Sequence, residues 1–193
     1  MGAGKTSVGR ALGQRLNWLF EDLDDRIVQA EGRTVVEIFR DSGEQAFRRM
    51  EQEALERVLE ELQAGSVKVV ALGGGTFAQP GNVALLKASG VPTIFLDAPV
   101  EELWLRCREQ AIQDSLERPL LQSIGQFRDL HQMRRKSYTS ATLRIETGGR
   151  PIAAIAAEIA EDLGLKKSDG KKSGSKKVGS KQIPIRIEQG EVE

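Results

Sequence analysis

The sequence predicts a three-layer α/β/α domain built on a parallel sheet. Short, near-continuous apolar runs alternate with segments of helical period, and a glycine-rich turn opens the first helix. Strands buried on both faces read as unbroken apolar runs, and their alternation with helices covers both faces of a parallel sheet. A change of composition at residue 166 sets the boundary, giving a domain over 1–165 and a Lys/Ser/Gly-rich tail over 166–193.

In chain order, Val8, Leu12 and Leu16 place an apolar stripe on a helix beginning near Lys5. Residues 17–22 (NWLFED) read as a short strand, followed by a helix from Asp25. Phe47, Met50, Ala54, Val58 and Leu62 recur at helical spacing and predict a long helix over 43–63. A buried strand over 67–72 (VKVVAL) runs into Gly73-Gly74-Gly75. A helix over 81–88, a strand over 92–96 and helices over 100–110 and 124–138 follow, then a strand over 142–146 and a helix over 152–163.

The chain has 193 residues, 39% hydrophobic and 29% charged, which suits one compact domain with excess at an end. No run approaches the roughly 18 apolar residues of a membrane span, and the N-terminal MGAGKTSVGR lacks the apolar stretch of a secretory signal. A single cysteine, Cys107, has no partner for an intramolecular disulfide, so a cytoplasmic setting is expected. Residues 166–193 hold eight Lys/Arg against four Asp/Glu, net +4, so the balanced whole leaves residues 1–165 at 20 against 24, net −4. The tail has too little to bury to offset the entropy of ordering and is expected to be disordered. Its alternative role is a weak contact with an anionic surface. No aromatic residue interleaves its lysines, so no specific nucleic-acid partner is expected. His131 is the only histidine and is expected on a helix surface, so a His-dependent metal cluster or a Ser-His-Asp site has nothing to build on. The domain is expected to act as a monomer.

Gly2-Ala3-Gly4-Lys5-Thr6, followed by Ser7, ends a phosphate-binding loop of pattern G-x-x-x-x-G-K-[ST]. Glycines let the backbone turn its N–H groups toward phosphate, and the following helix adds its positive end. Lys5 would neutralise charge between the β- and γ-phosphates of ATP, and the Thr6 hydroxyl would ligate Mg²⁺. The pattern's first glycine falls upstream of Met1, as does the strand that should deliver the chain into the loop. The expectation is therefore a fold whose first, central strand is missing from this chain, with Met1 an internal methionine of a longer natural protein.

Five further groups carry chemistry. Asp22 and Asp24, two apart at a strand end, project to the same side; alternatively Asp24 or Asp25 caps the next helix. In Phe47-Arg48-Arg49-Met50-Glu51, Phe47 and Met50 lie on the apolar stripe, so Arg48 emerges at its border with Glu51 in reach to orient it. The planar guanidinium suits bidentate capture of a carboxylate. Gly73-Gly74-Gly75, at the end of a buried strand, lets backbone N–H groups approach a ligand closely. Glu117-Arg118-Pro119-Leu120-Leu121 and Arg134, four residues before Tyr138, complete the set.

In this order the motifs D-x-D, F-R-x-x-E, G-G-G, R-P-L-L and R-x-x-x-Y resemble those of the shikimate kinase family over about residues 1–165. The resemblance implies a P-loop kinase fold and transfer of the ATP γ-phosphate to a hydroxyl of shikimate, with Mg²⁺. It implies that Asp22, with Thr6, serves the metal. Asp24 serves the substrate hydroxyl, as base or as positioning group. Arg48, Gly73, Gly74, Gly75 and Arg134 hold the substrate ring and carboxylate, and Arg118 closes over the phosphates with Lys5. Arg135 is a rival to Arg134, because the family's Pro-Leu before Tyr is here Lys136-Ser137. Arg106 and Gly149-Arg150-Pro151 are the expected adenine contacts. The alternatives are a gluconate kinase-like enzyme, which has no reason to combine these motifs, and a nucleotide-binding module without turnover.

Overall fold

The structure, a computed structural model, describes residues 2–113 and 123–167. Helix α1 (Lys5–Leu16) is followed by β1 (Leu19–Asp22), α2 (Leu23–Glu31) and α3 (Val35–Gln63). Strand β2 (Lys68–Ala71) leads through the glycines into a 3₁₀ turn, Thr76–Ala78, and α4 (Pro80–Ser89). Strand β3 (Ile94–Asp97), α5 (Val100–Gln113), α6 (Ile124–Tyr138), β4 (Leu143–Glu146) and α7 (Ile152–Asp162) follow.

The expected parallel sheet is present as two separate pairs. β1 pairs with β2, from Leu19 opposite Lys68 to Asp22 opposite Ala71, and β3 pairs with β4, from Ile94 opposite Leu143 to Asp97 opposite Glu146. Among the described residues no ladder joins β2 to β3. Both pairs nevertheless share one core. Val69 of β2 and Leu96 of β3 pack into a cluster with Val8, Leu12 and Leu16 of α1 and Ile155 and Ile159 of α7. A second cluster joins Leu23 and Ile27 of α2 to Phe47, Leu55 and Val58 of α3 and Leu86 of α4. A third, with Leu103 and Cys107 of α5 and Phe127 of α6, makes Cys107 a packing residue.

Local chemistry explains where the elements differ from expectation. Asn17, expected as the first strand residue, instead ends α1 in a left-handed conformation (φ 56). α2 begins two residues earlier than expected because Asp22, not Asp24 or Asp25, caps it, its side chain accepting the Asp24 N–H at 3.1 Å. α3 begins at Val35 on a capping box in which Thr34 and Glu37 satisfy each other's backbone N–H. At Gly43 (φ 80, ψ 168) the helical path breaks, so the expected start near residue 43 marks an internal kink. A four-charge network fixes the β1–β2 pair against α2 and α3: Lys68 donates to Glu21 at 2.8 Å and to Glu61 at 2.6 Å, and Arg26 pairs with both carboxylates.

Among the described residues no helix is long and apolar enough to cross a membrane. Leu55 is 1% exposed at the centre of the α2–α3–α4 cluster. Leu55→Ala should lower the unfolding free energy by about 3 kcal/mol in urea titration; a loss under about 1 kcal/mol would contradict this packing.

Candidate active site

Parallel pairing brings the C-terminal ends of β1 and β2 side by side, and functional groups collect there. Asp22 ends β1 and Asp24 lies in the first turn of α2, so the strand-end geometry expected for the pair is replaced by a cap and a helical turn. Asp22 Oδ2 accepts the Thr6 hydroxyl at 3.3 Å, which joins the phosphate loop to the carboxylate pair. Gly4 caps α1 at φ 79, a conformation that favours glycine, and no side chain occupies the cap. The first N–H groups of α1 are therefore directed at whatever anion enters the loop. Gly2 packs against α5 so closely that a Cβ would meet the Leu103 carbonyl at 2.6 Å, while Ser7 is exposed. Burial lowers the Lys5 pKa, and Asp22 and Asp24 oppose that shift by favouring the charged ammonium.

On the other side of the site, Glu51 is fully buried at 0% exposure. One oxygen accepts Arg48 Nη1 at 2.9 Å and the other accepts the Thr76 hydroxyl at 2.6 Å. Arg48 also donates from Nη2 to the exposed Glu44 at 3.0 Å. The glycine turn wraps this group without space for side chains. A Cβ at Gly75 would lie 2.5 Å from Arg48 Nη1, and one at Gly73 would lie 2.9 Å from Asp24 Oδ1. Arg134 Nη1 would meet a Cβ on Gly74 at 3.1 Å, and the hydroxyl of Tyr138, one turn further along α6, donates to the Gly74 carbonyl. Arg134 also lies near enough to Lys5 to disfavour its charge. Arg135 points elsewhere and donates to Asp97 at 2.8 Å.

The structure thus brings Lys5, Thr6, Asp22, Asp24, Arg48 and Arg134 around one glycine turn. Arg106 and Arg150 occupy a separate face: Arg106 pairs with Glu102, which also accepts the Gly149 N–H at 3.2 Å, and Arg150 pairs with Glu158. Arg118 and its neighbours Glu117–Leu121 lie outside the described residues, as does the tail from residue 168. Thr76 and Tyr138, at the glycine turn, and Asp97, which holds Arg135, are residues that sequence reasoning missed. Thr76 followed the glycine triplet and Tyr138 served only as a marker for Arg134, whereas Asp97 carried no signal beyond its place at a strand end.

Asp24 Oδ1 is buried and has no hydrogen-bond partner. Burial, with the Asp22 and Glu51 charges adding to it, raises the Asp24 pKa from 3.8 to about 6. Its carboxyl is therefore protonated below that pH and ionised above it. NMR titration of the Asp24 carboxyl in the free protein should give a midpoint near 6; a midpoint near the ordinary 3.8 would contradict the buried, unpartnered geometry.

Comparison with known proteins places this geometry in a family. The shikimate kinase family model matches residues 1–164. The shikimate kinase of Symbiobacterium thermophilum is 42% identical over 168 residues, covering 84% of this chain and 91% of that protein. That of Persephonella marina is 37% identical over 161 residues, covering 82% and 92%. Among solved structures, the shikimate kinase of Acinetobacter baumannii in complex with shikimate superposes with a TM-score of 0.70 at 35% identity, covering 84% of this chain and 88% of that one. That of Aquifex aeolicus gives 0.72 at 32% identity, covering 85% and 92%. A match of this extent, on a chain whose carboxylate pair, arginines and glycine triplet converge at the ends of two parallel strands, shows that the protein belongs to the shikimate kinase family.

Proposed function

We propose that the protein transfers the γ-phosphate of ATP to the 3-hydroxyl of shikimate, giving ADP and shikimate 3-phosphate for aromatic amino acid biosynthesis. The observation that carries this reading is the convergence of Asp24, the Arg48–Glu51 pair and Arg134 on one glycine turn beside Lys5. Two guanidinium groups at one glycine turn suit a carboxylate, and a nearby carboxylate suits a hydroxyl.

Phosphoryl transfer requires little covalent work from the protein beyond positioning and charge stabilisation. The N–H groups of Gly2, Ala3, Gly4 and the start of α1 hold the phosphates, with Ser7 at the rim. Lys5 sits between the β- and γ-phosphates, its charge favoured by Asp22 and Asp24. Arg118 is assigned to the same phosphates on family resemblance. Arg106 and Arg150, on the face formed by α5 and the 148–150 loop, are assigned to the adenine on family resemblance. Asp24 orients the attacking hydroxyl and, once ionised, can accept its proton. Arg48 is held by Glu51 with its guanidinium against Gly75, and with Arg134 it grips the substrate carboxylate.

The residues present fit Mg²⁺. The Thr6 hydroxyl and the Asp22 carboxylate, 3.3 Å apart, are hard oxygen donors beside the phosphate loop, and Mg²⁺ is ordinarily held by one or two protein oxygens together with substrate phosphates. When bound there, Mg²⁺ supplies charge neutralisation at the β- and γ-phosphates. The single cysteine, Cys107, buried and unpaired, supports a cytoplasmic location, and a monomer is the simplest assembly consistent with a site drawn from one chain.

A coupled ADP-release assay tests the reading: ADP formation should require shikimate together with ATP and Mg²⁺. Turnover indifferent to shikimate, or supported equally by gluconate, would overturn it. Arg48→Ala should cost about 2–5 kcal/mol of transition-state binding, mainly as a raised KM for shikimate. Equal effects on the KM for ATP would contradict its assignment to the carboxylate. Because ionised Asp24 is the active form, kcat/KM for shikimate should fall at acid pH, with a midpoint at or below about 6 because bound cations favour the carboxylate. Asp24→Asn should lower kcat by about 10²-fold or more and abolish that acid limb.

A further inference from the structure

We propose that Asp97 is a positioning residue for shikimate binding, clamping α6 through Arg135 so that the adjacent Arg134 faces Gly74 and the substrate carboxylate. The proposal rests on the reading of Arg134 given above and adds the group that aims it.

Asp97 ends β3 and is 4% exposed. A carboxylate so placed must be paired, because desolvation of an unpaired ion costs several kcal/mol. Its Oδ2 accepts Arg135 Nη2 at 2.8 Å and Arg144 Nε at 2.9 Å. Its carbonyl accepts the Thr147 N–H at 2.7 Å and the Thr147 hydroxyl at 3.0 Å, so the backbone beneath the carboxylate is fixed as well. His131, one turn before Arg135 on α6, also faces this charge.

Successive helix residues differ by about 100° in direction. Holding Arg135 toward β3 therefore fixes the direction of Arg134, and that direction is Gly74. Tyr138 lies on the same face as Arg134, one turn on, and ties α6 to the same glycine. Its ring stands 5.3 Å from Phe95 of β3 and 6.3 Å from Phe77 of the 3₁₀ turn. α6 thus has one anchor in the β3–β4 pair, at Asp97, and another beyond β2, at Gly74. No ladder joins these pairs among the described residues. The two neighbouring arginines span them.

Stability does not require Arg135 in particular, because Arg144 also pairs the Asp97 carboxylate, at 2.9 Å. The Arg135 side chain is 41% exposed, and pairs with a solvated partner contribute little to folding. An arginine–carboxylate hydrogen bond does, however, restrict the rotation of a helix about its axis, and a site that grips a planar carboxylate is sensitive to shifts of about 1 Å.

Equilibrium titration of the full chain with shikimate, and separately with ATP, tests the proposal on Asp97→Asn, Arg135→Ala, Arg135→Lys, Arg134→Ala and the double variant Arg134→Ala/Asp97→Asn. Asp97→Asn and Arg135→Ala should each raise the Kd for shikimate about fivefold to tenfold while leaving that for ATP within about twofold, and Arg135→Lys should restore part of the loss. In the Arg134→Ala background, Asp97→Asn should add nothing, since the residue it aims is gone. Because the Arg135 side chain is exposed, its alanine variant keeps the test valid even where Asp97→Asn folds poorly. Unchanged shikimate affinity in Arg135→Ala, beside a weakened Arg134→Ala, would overturn the positioning role alone. Unchanged affinity in Arg134→Ala would overturn the carboxylate reading and the proposal with it. A full additional effect of Asp97→Asn in the double variant would show that Asp97 acts by another route and would also overturn it.

Discussion

The buried carboxylate of Glu51 is the constraint on which the site depends. At 0% exposure it cannot be left unpaired, and its two oxygens are taken by Arg48 and Thr76. One pairing aims a guanidinium at the glycine turn, and the other fixes the first residue after that turn. Asn82 of α4 donates to the Thr76 carbonyl at 3.2 Å and holds the same residue from behind. The glycines then follow from space: Arg48 and Asp24 lie within 3 Å of where side chains would begin at Gly75 and Gly73, so a side chain there would displace the groups the site holds. α3 carries Glu51 on the face that buries Ala54, Leu55 and Val58, so the apolar core sets the position of the site's deepest charge.

Around that anchor the charges are arranged in opposition. Burial alone disfavours both the Lys5 ammonium and the Asp24 carboxylate, and each favours the charged form of the other. Asp24 has further carboxylates nearby in Asp22 and Glu51, so its proton is held more tightly than in an ordinary aspartate. A cation placed beside this pair would act on the same balance in the opposite direction. The domain's acidic excess and its few cationic side chains at the site are compatible, because the positive charge is local and Arg48 is held by the buried Glu51.

Much of this was legible in the sequence. The bounds expected for α6, 124–138, are those of the structure, and the spacing of Arg134 and Tyr138 carries over, with Arg134 reaching Gly74 and Arg135 reaching Asp97. The spacing of Arg48 and Glu51 on α3 likewise gave their ion pair. What was illegible depends on contacts between distant segments or on local capping. The first turns of α3 rest on the Thr34–Glu37 box and stop at Gly43, so an apolar-stripe reading begins too late. Asp22 reads as a strand residue, although its side chain closes the end of α2. Asp97 has no sequence signal because its partners lie 38 and 47 residues away.

The most direct measurement is calorimetric titration of Glu51→Gln with shikimate, with ATP binding and thermal unfolding followed on the same sample. Gln keeps the shape of the side chain and removes the charge that holds Arg48. The account predicts that shikimate binding is lost or weakened by at least about tenfold while ATP still binds to a folded protein. Shikimate bound as tightly by Glu51→Gln as by the parent protein would show that this buried carboxylate does not organise the site.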